Sequence, residues 1–116
     1  MADKDASKKA KRSKRRGARG ELEVVALFKE YGWMDASRNL EQSRDGGGDI
    51  LNGPLHIECK FTERLALRAA WKQACKAATD GRPMCVAHRC SNEPWLATVR
   101  LDYLLGLLVA ARDGSS

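Results

Sequence analysis

The sequence predicts an α/β domain in which helices cover a mixed β-sheet. Three observations carry this expectation. Helical and strand-like periodicities alternate along the chain, in the order helix, three strands, helix, two strands, helix. The 116 residues suffice for one buried core and are too few for two. No apolar run approaches membrane-spanning length, and none precedes a small-residue cleavage site. A soluble, intracellular protein is therefore expected, with no membrane partner.

The charge divides the chain. The formal net charge is +6, yet residues 1–20 hold nine Lys or Arg against two Asp, and the rest sums to −1. The basicity thus belongs to an arm, residues 1–18, preceding a domain at 19–112 and a short tail at 113–116. The arm lacks apolar periodicity and is expected to be disordered in isolation. Its density of cations suits nucleic-acid phosphate, with Lys11, Arg12, Lys14, Arg15 and Arg16 as the contacts and Arg19 beside them. A solubilising or targeting segment is the alternative.

A first helix is expected over residues 19–31, with Val24, Val25, Phe28 and Tyr31 as its apolar stripe and Gly32 as its stop. Glu21 falls on that inward stripe and Glu23 points away. An inward carboxylate suits either the first-turn helix dipole or a site beneath the helix. Residues 33–40 then suggest a short strand leading to Ser43-Arg44-Asp45-Gly46-Gly47-Gly48, a flexible lead without the ending of a phosphate-binding loop.

Residues 49–60 read as a β-hairpin around the turn signal Asn52-Gly53-Pro54. In its second strand Leu55, Ile57, Cys59 and Phe61 alternate with His56, Glu58, Lys60 and Thr62, so one face is apolar and the other carries charge. An even loop would pair Asp49 with His56 and make Asp49 and Glu58 diagonal neighbours. An odd loop would turn Asp49 to the wrong face.

A second helix is expected over residues 64–79, with Leu67, Trp71, Ala74 and Ala78 at helical spacing and Asp80-Gly81 as the stop. Arg64, Arg68, Lys72 and Lys76 recur along another face, a solvated ridge or a phosphate contact, flanked by Gln73. Residues 83–90 and 95–100 suggest two strands around Ser91-Asn92-Glu93-Pro94. The last helix, to about residue 112, should set Leu101, Leu104, Leu105 and Leu108 into the core. Tyr103 and Leu107 lie outside that stripe and hint at a dimer contact. Cys59, Cys75, Cys85 and Cys90 sit within apolar patterns and read as free, mostly buried thiols. Cys85, His88 and Cys90 lack zinc-site spacing.

Two carboxylates and a lysine converging on one sheet face suit metal-assisted phosphodiester hydrolysis. Asp49 and Glu58 offer hard oxygen ligands for Mg²⁺, and the Cys59 backbone carbonyl can add a third. Lys60 is placed to position or deprotonate a water, and Glu21 to complete the ligand set directly or through water.

Taken together, Gly20-Glu21, Gly48-Asp49-Ile50, Ile57-Glu58-Cys59-Lys60 and the helix holding Gln73 resemble the PD-(D/E)xK nuclease superfamily. Within it the chain looks most like the small Holliday junction resolvases, with Arg38, Ser43, Pro83 and Trp95 at similar places and the likeness running over residues 16–105. Gly48 stands where the motif name has Pro. The resemblance implies a restriction-endonuclease-like core and a Mg²⁺-dependent endonuclease, with Mn²⁺ as a substitute. It implies a homodimer that cuts branched or four-way DNA, and Glu21, Asp49, Glu58, Lys60 and Gln73 as the catalytic set. A cytoplasmic enzyme of a bacterial, phage-infected or archaeal cell fits, although the basic cluster also suits a nuclear address. Two other readings stay open: a duplex-cutting or nicking nuclease of the same superfamily, and a non-catalytic nucleic-acid-binding module using the arm.

Overall fold

The computed structural model describes residues 2–40, 48–79 and 81–114. Ser43, most of the glycine-rich lead and Asp80 lie outside them. Among the described residues the order is α1 (Ala2–Glu30), β1 (Ser37–Arg38), β2 (Ile50–Leu51), β3 (His56–Phe61), α2 (Leu67–Ala77), β4 (Met84–Arg89), β5 (Leu96–Thr98) and α3 (Leu101–Arg112). This is the expected α/β sequence of elements. None of these helices is long and apolar enough to cross a membrane.

The strands form two sheets. β1 and β2 pair antiparallel, Ser37 with Leu51 and Arg38 with Ile50. β3 runs parallel to β4, which pairs antiparallel with β5, in the order β3-β4-β5. A parallel pair needs a crossover, and α2 supplies it. Its small residues Ala70 and Ala74 are buried with Val86, so the helix lies close on the sheet. On the other face Val24 and Val25 of α1 join Ile50, Ile57, Cys85 and Ala87 in the main core.

The expected hairpin is not formed. β2 spends its ladder on β1, and Pro54 has no N–H with which to close a tight turn. Asp49 instead meets β3 at its open edge. Its N–H donates to the Ile57 carbonyl at 2.7 Å, and its carboxylate accepts the Cys59 N–H at 2.6 Å. The partner of Asp49 is thus the Ile57 to Cys59 segment and not His56.

Three more expectations change. The first helix begins at Ala2, so the arm is helical and continuous with the domain's α1. Ala, Lys and Arg are strong helix formers, and backbone hydrogen bonds need no apolar pattern. Gly20 lies within α1, where a Cβ would come 3.0 Å from Phe61 Cβ, so its lack of a side chain lets helix and strand approach. Tyr31 is exposed and outside the core. Arg64 and Thr79 fall outside the shorter α2, leaving Ala70 and Ala74 as its buried face.

The largest difference is α3, where no residue is buried. Tyr103, expected outside the core stripe, is the one half-buried side chain of the helix. It lines a cleft with Pro83 and Met84. Leu101, Leu104, Leu105 and Leu108 lie on the opposite side of the helical wheel and face out.

Candidate active site

β3 carries the site because both of its faces are covered. His56, Ile57 and Glu58 are all buried, with Glu58 3% exposed. Even-numbered residues turn their backbone groups to β4: the His56 N–H donates to Pro83 and the Thr62 N–H to Arg89. Odd-numbered residues therefore turn theirs to the opposite edge, where Asp49 sits. The Cys59 carbonyl shares that edge with the Asp49 carboxylate.

Asp49 is itself fixed from behind. Buried Asn39 donates its N–H to the Asp49 carbonyl and its side-chain amide to the Gly48 carbonyl, both at 2.9 Å. Gly48 has a φ of 82°, and a Cβ there would lie 3.0 Å from the Ile57 carbonyl and 3.2 Å from the His56 ring. Glycine is thus required by both backbone sign and space. The Pro of the motif name could not adopt that φ. Sequence reasoning passed over Asn39, since nothing in a two-residue strand marks a neighbouring polar residue as buried. His56, expected only as the strand partner of Asp49, places its Nε2 4.0 Å from a Glu58 oxygen.

The electrostatics centre on Glu58. Burial, then the Asp49 charge, raises its carboxyl to about 7; Lys60 offsets part of this and Glu21 adds to it. Burial, followed by the same acidic neighbours, pushes the Cys59 thiol up, so that side chain is an inert packing group. Lys60 Nζ donates to Gln73 Oε1 at 3.1 Å, tying the strand to α2. Glu21 accepts from Arg38 Nε at 2.9 Å, which holds it at the margin of the site with its side chain 19% exposed.

α1 is locked over this strand by residues that sequence reasoning set aside. Glu23, expected to point away, accepts from Trp95 Nε1 at 3.0 Å, from Arg19 Nε at 3.0 Å and from Arg89. Burial pushes its carboxyl up, but these hydrogen bonds outweigh that and leave it lowered. The guanidinium groups of Arg16 and Arg89 lie 4.4 and 4.6 Å from the Phe61 ring centre. Arg16 also pairs with Glu63 and donates to Ser91 at 2.9 Å.

The expected DNA-binding residues therefore separate. Arg16 and Arg19 are engaged within the fold. Lys8, Lys11, Arg12 and Arg15 gather on one flank of α1 at helical spacing, while Lys14 lies on another. Arg68 and Lys72 are exposed on α2 and Arg64 just before it.

The residues present fit a hard divalent cation. Asp49, Glu58 and the Cys59 carbonyl are oxygen donors, and the Asp49 charge that helps raise the buried Glu58 carboxyl is of the kind a shared cation would offset. Among the described residues no three His, Cys, Asp or Glu side chains gather in a ready-made metal cage. A cation there would draw on the Cys59 backbone carbonyl as a third donor, and Glu21 is close enough for its charge to act on Glu58. Comparison with protein-family models, with curated proteins and with solved structures finds no match to this chain.

Proposed function

We propose that this chain is a divalent-cation-dependent endonuclease that hydrolyses phosphodiester bonds in branched DNA, in the manner of a Holliday junction resolvase, and works as a homodimer. The observation that carries the reading is the meeting of Asp49 and Glu58 at one edge of β3, with a buried carboxyl at about 7 and Lys60 two residues on. Asp49, Glu58 and the Cys59 carbonyl would hold Mg²⁺ or Mn²⁺, which would supply polarisation of the phosphate and a more acidic bound water.

The chain's own groups do the rest. Lys60, oriented by Gln73, positions or deprotonates the water and stabilises charge developing on the phosphate. Glu21, held by Arg38, would support the cation through water. Asn39 and Gly48 keep the Asp49 carboxylate in place. Lys8, Lys11, Arg12 and Arg15 run along the DNA backbone, and Arg64, Arg68 and Lys72 contact phosphate nearer the domain.

The cationic flank of α1 also favours a second reading, a binding module without catalysis. One experiment separates the two. A labelled four-way junction and a linear duplex of matched sequence are incubated with wild type and Glu58→Ala, in Mg²⁺ and in chelator. Paired, metal-dependent cuts in the junction, lost in the variant, are expected. Equal cutting of both substrates would replace the junction with duplex DNA as the substrate. Binding without cutting would establish the module.

A further inference from the structure

α3 is twelve residues long, below the length at which isolated helices hold in water, yet none of its residues is buried. Leu101, Leu104, Leu105, Leu107, Leu108 and Val109 are 41 to 68% exposed. Between Asp102 and Arg112 the helix carries no charge at all. Half-exposed side chains of this kind offer on the order of 80–100 Å² each, so the helix shows roughly 500 Å² of apolar surface.

The same chain carries a place to put such a surface. Leu67 and Trp71 of α2 and Val99 beyond β5 form an apolar groove of about 420 Å³, room for several leucine side chains. Its rim is Arg68, Lys72 and Arg100. It lies on the side of α2 opposite Ala66, Ala69 and Gln73, which face Lys60, so an occupant would leave the candidate active site open.

We infer that α3 is the docking surface for a second copy of this chain, each copy's leucine face seating in the other's Leu67–Trp71–Val99 groove. Surface and groove are on one chain, so a two-fold axis satisfies both contacts at once and closes the assembly. The leucine face of the helix alone supplies more than half of the about 800 Å² per partner of a stable interface. An uncharged helix brings no unpaired ion into the groove, and the rim cations stay at the wet margin. The inference rests on the homodimer in the reading above and not on its hydrolytic chemistry.

Sedimentation velocity on the full chain, without DNA or metal, tests it at micromolar concentration. Wild type should sediment as a dimer of the 12.8 kDa chain. Leu104→Glu/Leu108→Glu should be a monomer with unchanged far-ultraviolet circular dichroism, because neither side chain is buried in one copy. Val99→Glu in the groove should dissociate it too. A monomeric wild type, or a dimer that survives the leucine changes, overturns the inference; loss through the leucines but not through Val99 overturns the groove as the seat. Junction cleavage measured on the same samples keeps failure of this interface distinct from failure of the nuclease reading.

Discussion

β3 and α3 invert the usual relation between polarity and burial. Half of the β3 residues are charged or imidazole side chains, and His56 and Glu58 among them are almost wholly enclosed. α3 is built from leucine, valine and alanine, and none of it is buried. Burying a carboxyl costs stability, and exposing a leucine forgoes it. Each is tolerated where the group has something else to meet. Under the proposed reading β3 offers an acidic edge for a cation and phosphate, and α3 an apolar face for a partner copy.

The sharpest way to break the β3 half is to remove its charges. Asp49→Ala and Lys60→Ala should each lower junction cleavage by on the order of a thousandfold, with the circular dichroism spectrum kept. Wild-type rates in either would sink the site. The enclosed Glu58 supplies a stability signature as well. Its folded pKa of about 7 stands above the ordinary value of 4.5, so between those pH values the native state keeps a proton that the unfolded chain has lost. Stability from this group therefore falls as pH rises through that window and levels above it. Glu58→Gln should abolish cleavage yet gain about 2–3 kcal/mol above pH of about 7, with no gain below about 4.5. Thermal unfolding across pH checks the pattern. Divalent-cation affinity of the wild type, read by calorimetry, should rise through the same window as Glu58 gives up its proton.

Truncations sharpen the comparison directly. Ile57→Ala should cost about 2–4 kcal/mol in urea unfolding, since Ile57 is 1% exposed. Leu108→Ala, in samples dilute enough to be monomeric, should stay within about 0.5 kcal/mol. Equal costs would show that α3 packs on its own domain. The smallest effect concerns the arm. Changing Lys8, Lys11, Arg12 and Arg15 together to Gln should flatten the salt dependence of DNA binding by a slope of about 3–4, leaving cleavage geometry intact. Lys14→Gln alone should change it by less than one.

Much of the fold was legible because periodicity reports which face of an element is apolar. The alternation in β3 and the order of elements follow from it, whereas the parallel pairing of β3 with β4 across α2 came only with the structure. The site was legible to the extent that its residues are close in sequence: Glu58, Cys59 and Lys60 on one strand, with Asp49 just before. Register was not. Parity placed Asp49 opposite His56, whereas its carboxylate substitutes for a backbone acceptor at Cys59. That choice goes with β2 pairing to β1, a pairing between short strands with little pattern of their own. Asn39 was missed for the same reason, and Glu23 because its partners Arg89 and Trp95 lie far along the chain.

The sequence by itself determined the alternation of helix and strand, the segregation of positive charge into the arm, and the presence of a carboxylate pair with a lysine beside a glycine turn. These are local properties, set by propensity and by spacing along one segment. Only the tertiary structure decided that Asp49 caps the edge of β3, that Glu58 is buried deeply enough to hold its proton near neutrality, that Arg16 folds back onto Phe61 while Lys14 and Arg15 stay exposed, and that the leucines of α3 face outward. Each of these depends on which distant surface packs against a given face. An apolar stripe states that a helix must be covered; what covers it is fixed by the surfaces that remain once the other elements have packed.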